Sequence, residues 1–243
     1  MIATLAQKKA KSSTLKLAVV ACSNGAEVYS ILWTLRSALP GLEVKAQAFD
    51  TADLIIRVAK CGRYSLTHSE LMDTPIFERL TEEEIQQMFD RDGDTVSIKP
   101  WIKEGIEWRV ADANDPKLVT SLGLQDIVVA NRFLCHMYPP EADSCLRNIS
   151  KLVTPGGFLF VSGIDLDIRT KVASELGWTP VPDSMEEIHN GDISVREGWP
   201  LHYWGLEPFA RRRSDWKIRY ASVFQIGSPT KGVEAEQSQE MIA

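Results

Sequence analysis

The chain has 243 residues, a hydrophobic content of 44% and a formal net charge of −6, with an isoelectric point near 5.3. Such a length and apolar content suit a single sizeable globular domain, and the acidic balance argues against nucleic acid as the main partner. No apolar run reaches the roughly 18 residues a membrane span needs, and the opening "MIATLAQKKAKSSTLKL" lacks the apolar segment of a secretory leader.

The four cysteines, Cys22, Cys61, Cys135 and Cys145, form no C-x-x-C pair and lie in apolar surroundings. Reduced, buried thiols in a cytoplasmic protein are expected. The run Arg211 to Arg213 reads as a solvated face.

In chain order, strand and helix patterns alternate. Leu15–Ala21 reads as a buried strand, and Ala26–Leu39 as a helix with Ile31, Leu32, Leu35 and Leu39 on one face, closed by Pro40-Gly41. Val44–Phe49 is a second strand, followed by a short helix over Asp53–Lys60. Residues 65–105 interrupt the alternation as an ordered insertion, in which Thr81 and Glu84 form a capping box. Ile106–Val110 and Ile127–Ala130 are the third and fourth strands. A helix over Pro140–Leu152 leads through Pro155-Gly156-Gly157 into a fifth strand, "FLFVSG". "WKIRYASVFQIG" reads as a closing antiparallel strand. The pattern predicts an α/β fold with a doubly wound, mostly parallel sheet in one domain over 1–243. Residues 166–215 are expected to form a cap or substrate segment, and 228–243 a flexible tail.

Ligands of such sheets bind at the carboxyl ends of the strands. The first strand ends in Ser23-Asn24-Gly25, the second in Asp50, the third in Asp112-Ala113 and the fourth in Asn131-Arg132. A carboxylate closing the second strand is suited to accept from two ribose hydroxyls, and Asp112 is placed to read an adenine amino group. Together these ends predict a nucleoside site. The first turn lacks G-x-G-x-x-G, so a pyrophosphate has no cradle. Glu27, in the first turn of the next helix, repels phosphate and attracts a cation such as the α-ammonium of S-adenosylmethionine (SAM). Its alternative role is to complement the helix dipole.

These segments resemble a known family. "ACSNGAEVYSI" is similar to the A-x-S-T-G-E-E-P-Y-S-I stretch of the CheR-type chemotaxis-receptor glutamate O-methyltransferases. "AFDTADLIIRVAKCGRYS", "IEWRVADAND" and "DIVVANRFLCHMYPPEADSCLRNISKLVTPGGFLFVSG" resemble that family's later segments, in order, over roughly residues 15–165. The resemblance implies the class I methyltransferase fold with a seven-stranded sheet, and SAM as cofactor. It places Ser23, Asn24, Gly25 and Glu27 in the first cofactor motif, Asp50 at the ribose, and Asp112 and Ala113 beside adenine. Asn131 and Arg132 take the fourth-strand pair in an order inverted from the family's, which leaves open which of them reaches the cofactor. His136 falls where the family has a tyrosine near the methyl-transfer centre, and is the candidate catalytic residue.

Two departures follow. The family's N-terminal helical domain has no counterpart ahead of the first strand, so parts that meet receptor helices are expected to be absent. Beyond residue 165 the resemblance fades, and Glu186–Phe209 carries Trp199, Tyr203 and Trp204, with His189 and His202 nearby. These aromatics read either as the core of a cap or as a lid over the methyl donor. The four histidines, which include His68, show no metal-ligand spacing. No metal is expected, and none is needed to transfer a methyl from a sulfonium.

The sequence therefore predicts a SAM-dependent methyltransferase acting on a small molecule or a carboxylate-bearing acceptor, without nucleic acid or membrane as partner. A SAM-binding regulatory or scaffold protein without catalysis is the alternative. An NAD-type oxidoreductase is disfavoured by the missing glycine motif.

Overall fold

In a computed structural model of the chain, which describes residues 1–9, 14–67, 80–191 and 207–227, β1 spans Thr14–Val20 and is buried on both faces. Leu15, Leu17 and Val19 enter one core cluster, and Ala18 and Val20 the other. This is the period-2 alternation of a strand with helices on both sides, which explains the apolar run from Leu17 to Val20 after the exposed Lys16.

β1 is joined by β2 (Glu43–Asp50), β6 (Ile106–Val110), β7 (Gln125–Asn131), β8 (Val153–Ser162), β9 (Thr179–Pro180) and β10 (Val223–Gln225). The seven strands lie in the order β6-β2-β1-β7-β8-β10-β9. The first five pair in parallel, while β10 runs antiparallel to both β8 and β9. The doubly wound, mostly parallel seven-stranded sheet inferred above is thus the fold of the chain.

On one face lie α1 (Ile2–Lys9) and α2 (Ala26–Ala38), with Leu5, Val28, Tyr29, Leu32 and Leu35 buried. On the other lie α6 (Leu118–Leu122), α7 (Pro139–Ser150), α8 (Leu166–Glu175) and α10 (Trp216–Tyr220), through residues such as Leu118, Leu146, Val172 and Tyr220. Pro40 and Gly41 stop α2 as expected, with the Leu39 N–H bonded to Leu35 O at 2.8 Å. The remaining helices are α3 (Asp53–Cys61), α4 (Glu82–Met88), α5 (Pro100–Lys103) and α9 (Met185–Asn190).

The insertion carries its own antiparallel sheet, β3 (Arg63–Ser65), β5 (Thr95–Ile98) and β4 (Phe89–Asp92), in the order β3-β5-β4. α4 opens with the anticipated capping box: the Glu84 N–H donates to Thr81 Oγ1 at 3.2 Å and the Thr81 N–H to Glu84 Oε2 at 2.8 Å.

Two expectations need correction. "WKIRYASVFQIG" is not one strand, because Trp216–Tyr220 winds into α10 before the short β10. The Arg219 N–H bonds to Asp215 O, and the Arg219 side chain goes to Glu207 and Asp167 instead of lying along a sheet edge. Of the cysteines, Cys22, Cys135 and Cys145 are buried, but Cys61, at the end of α3, is exposed. Residues 68–79, 192–206 and 228–243 lie outside the described residues, and with them the tail assignment, His68, and Trp199, His202, Tyr203 and Trp204.

Candidate functional site

The chain leaves β1 toward β2 and β6 on one side, then returns to place β7 on the other. The crevice between β1 and β7 is therefore the topological switch point, where open α/β sheets bind ligands. In space, the strand ends bring Asp112 (after β6), Asp50 (β2), Ser23 to Glu27 (after β1) and Asn131 (β7) into a row. Ser162, ending β8, continues it.

The turn after β1 is strained. Ala21 has φ 52°, Ser23 φ 47° and Gly25 φ 84°. Left-handed backbone costs a residue with a Cβ about 1–2 kcal/mol, so the surroundings must hold it. Asp50 does so from the neighbouring strand: its Oδ2 accepts from the Ser23 N–H at 3.0 Å and its Oδ1 from the Thr51 N–H at 2.8 Å. The Cys22 N–H bonds to Phe49 O at 3.0 Å, and Asn24 Oδ1 accepts from the Ala26 N–H at 3.2 Å. From β3, the Tyr64 hydroxyl donates to Asn24 O at 2.9 Å. Gly25 has a second reason to be glycine, because a Cβ there would come to 3.0 Å from the Trp108 ring and 3.1 Å from Ala59 Cβ.

Across the switch point, Asn131 Nδ2 donates to Glu27 Oε1 at 2.6 Å, and Asn131 Oδ1 accepts from the Ser162 hydroxyl at 2.9 Å. Glu27 Oε2 accepts no hydrogen bond among the described residues. Burial pushes the Glu27 carboxyl above its ordinary range, while the Asn131 bond and the Arg132 charge oppose that rise. Burial, with the Asp50 charge adding to it, also drives the adjacent Cys22 thiol up to about 12, so it stays neutral.

Arg132 follows with φ 55° and an exposed side chain, its N–H bonded to Ser162 O at 2.9 Å. Gly163 is obligatory beside it: a Cβ there would lie 2.6 Å from Arg132 Cα. His136 is exposed at the end of a 3-10 turn, Leu134–His136, after that crossing.

The loop after β6 is fixed from below. Asp112 Oδ1 accepts from the Asn114 N–H at 2.8 Å, closing its own turn. The buried Asn148 of α7 donates to Ala113 O at 2.8 Å and to Asp115 O at 2.9 Å. Ala113 is buried and Asp112 exposed. Further along, Arg109, Gln47 and Gln125 donate to Ser121 O, Leu122 O and, from Gln125 again, Gly123 O, capping the carbonyl end of α6. Helix carbonyls at such an end have no partner inside the helix.

Sequence reasoning missed Ser162, Asn148 and Tyr64. Ser162 was within reach, since it is the polar residue that ends "FLFVS". Asn148 and Tyr64 carry no local signal, because their partners lie 33 or more residues away. Of the C-terminal aromatic group, His189 and Phe209 are described, and they belong to a packed cluster. His189 is buried, Nε2 within 2.7 Å of Glu207 O, its ring 4.8 Å from Tyr220 and 5.7 Å from Phe209. Among the described residues, no three His, Cys, Asp or Glu side chains converge as a metal site, and no helix is long and apolar enough to cross a membrane.

The SAM-binding domain of CheR methyltransferases matches residues 1–166, which is most of the chain. The chain belongs to the CheR methyltransferase family. The family is one of methyltransferases, and the matched domain is its SAM-binding domain, so SAM is the family's cofactor. No curated protein matches it by sequence. Among solved structures, it is similar to the N-methyltransferase NodS from Bradyrhizobium japonicum in complex with S-adenosylhomocysteine (16% identity, 74% of each chain, TM-score 0.40). It is also similar to magnesium protoporphyrin IX methyltransferase from Synechocystis with bound SAM (15% identity, 74% of this chain and 66% of that one, TM-score 0.43). A third is a TehB-like SAM-dependent methyltransferase from Corynebacterium glutamicum (14% identity, 93% and 86%, TM-score 0.48). The chain spans only 43% of the length of another similar structure, the cyclase SpnF (13% identity, 66% of this chain, TM-score 0.38).

The donor set of the crevice suits the family's cofactor. Glu27, Asp50 and Asp112 supply acceptors only, which favour an ammonium group and hydroxyl or amino donors and disfavour a pyrophosphate.

Proposed function

We propose that this protein moves the methyl group of SAM to a small-molecule or carboxylate-bearing acceptor, as a single domain in the cytoplasm. The observation that carries the reading is the half-buried Glu27 carboxylate, held by Asn131 at 2.6 Å across the switch point with its second oxygen uncommitted. Glu27 Oε2 then takes the cofactor's ammonium. Asp50 Oδ2, with the Ser23 N–H as its one donor among the described residues, keeps a lone pair for the ribose hydroxyls, while Oδ1 is taken up by the Thr51 and Ala52 N–H groups and Ser23, Asn24 and Gly25 offer close backbone approach. Asp112 and Ala113 flank adenine. Asn131 acts through Glu27, and Arg132 borders the acceptor side.

Bound SAM supplies an activated methyl: the S–CH3 bond breaks, its electron pair stays on sulfur, and a neutral thioether remains. The chain's own part is alignment and removal of water. His136, exposed beyond Arg132, orients the acceptor or takes its proton. A carboxylate acceptor needs no base, and a phenol or amine does.

Thermal shift with SAM, S-adenosylhomocysteine and NAD tests the cofactor, because only the folded state offers the site. Stabilisation by both sulfur nucleosides, but not by NAD, is expected, and no shift with either at millimolar concentration defeats the reading. Labelled methyl transfer to a panel of small carboxylates, phenols and amines then tests turnover. Binding without turnover on any of them favours the regulatory alternative.

A further inference from the structure

Ser162 stands behind the whole arrangement. Its hydroxyl donates to Asn131 Oδ1, and Asn131 Nδ2 donates to Glu27 Oε1. Three side chains from three separate elements form one relay in which every donor points toward the carboxylate. Such chains polarise one another and strengthen.

An amide presents two similar ends, and only its surroundings choose between them. Reversed, Asn131 would set a carbonyl oxygen against the Glu27 carboxylate. The Glu27 carboxylate, which can only accept, sets that orientation, and the Ser162 hydroxyl, donating to Oδ1, anchors the far end of the amide. The Ser162 backbone that carries it is held in place: Ser162 pairs with Asn131 in the sheet, its carbonyl accepts from the Arg132 N–H, and Gly163 packs directly on the Arg132 backbone.

We propose that Ser162 is a positioning residue that selects the cofactor's aminoacyl end, by locking Asn131 so that Glu27 presents an oriented carboxylate to the α-ammonium. The inference rests on the reading of Glu27 given above. Ser162 touches neither the cofactor nor the acceptor in this role. Arg132 and the neutral Cys22 thiol also face Glu27, and neither fixes the Asn131 amide.

The test compares S-adenosylhomocysteine with 5′-methylthioadenosine, which keeps the nucleoside and sulfur but lacks the amino-acid tail. Calorimetry on Ser162→Ala should show about two- to twelvefold weaker binding of S-adenosylhomocysteine, the range for one lost hydrogen bond, with 5′-methylthioadenosine unchanged. Ser162→Thr, which keeps the hydroxyl, should restore the difference. Equal loss for both ligands, no loss for S-adenosylhomocysteine, or failure of Thr to rescue overturns the proposal. If Ser162→Ala does not fold, Ser162→Cys, a weaker donor of similar size, must show the same selective loss or the proposal falls. Wild-type protein that binds neither nucleoside defeats the cofactor reading beneath it, and a wild type that binds both equally well defeats the role of Glu27.

Discussion

Glu27 and Asn131 meet across the gap between β1 and β7, Asn131 Nδ2 donating to Glu27 Oε1 at 2.6 Å. The bond joins residues 104 apart in sequence and closes the back of the switch-point crevice. It keeps one carboxylate oxygen occupied, while the other accepts no hydrogen bond among the described residues.

Glu27→Gln should therefore weaken S-adenosylhomocysteine strongly, since a hydrogen bond to a charged group is worth about 1.5–3 kcal/mol, and leave 5′-methylthioadenosine near its wild-type affinity. In the wild type, affinity for SAM should climb as pH rises through the elevated Glu27 pKa, because only the ionised carboxylate pairs with the ammonium, and binding there should release a proton. The slope should vanish in Glu27→Gln. Calorimetry in buffers of differing ionisation enthalpy reads both effects.

Asp50 has a structural duty as well as the ribose role proposed above. Asp50→Ala leaves the Ser23 and Thr51 N–H groups without their acceptor, at about 1–3 kcal/mol for each group left unsatisfied. The variant should melt lower even without ligand and lose cofactor affinity. Asp50→Asn, with one oxygen kept, should melt closer to wild type yet still bind weakly. Melting curves beside calorimetry separate the two effects, and an unchanged dissociation constant in both variants would put the ribose elsewhere.

Asn148→Ala removes both donors that pin Ala113 O and Asp115 O. A loss of about 1–3 kcal/mol in stability is expected from the Ala113 carbonyl left unpaired, since Asp115 O keeps the Leu118 N–H. Faster amide exchange over residues 112–118, with the far strands β8 and β10 unaffected, would show that the loop after β6 had loosened.

His136→Ala should lower turnover while leaving cofactor affinity unchanged, as expected of a group that meets only the acceptor. The loss should be large with a phenol or amine acceptor and small with a carboxylate, which has no proton to surrender. Equal losses across acceptor types would remove the base from the scheme. Steady-state kinetics with each acceptor, beside calorimetry, gives the comparison.

Glu207 governs acid stability at the other end of the sheet. Arg219 above all, through Nε and Nη2 at 2.7 and 2.9 Å, and also the Tyr220 hydroxyl, hold its carboxyl down to about 2, below the ordinary 4.5. A depressed carboxyl pKa stabilises the fold above the unfolded value, and the contribution fades as pH falls from 4.5 toward 2. Glu207→Gln should thus melt lower than wild type at neutral pH, and the gap should narrow below pH 4.5. The group is partly exposed, so salt should shrink the effect. Parallel curves at every pH would refute the pairing.

The sequence by itself determined the alternation of strands and helices, the doubly wound class and the polar strand ends, because those depend on local periodicity and on the fact that a buried strand must stop where polar groups begin. It also gave Glu27 its place in the first turn of α2, and the ordered family segments pointed to SAM. It did not determine that Trp216–Tyr220 would wind into α10, where the pull of Glu207 and Asp167 on Arg219 comes from elements remote in sequence. Nor did it show which of Asn131 and Arg132 would bond to Glu27. Only the register of β7 against β1 and β8 turns the Asn131 amide between Glu27 and Ser162, and the close packing of Gly163 holds Arg132 in left-handed backbone. A hydrogen bond between strand ends depends on which strands become neighbours, and that is a property of the whole sheet.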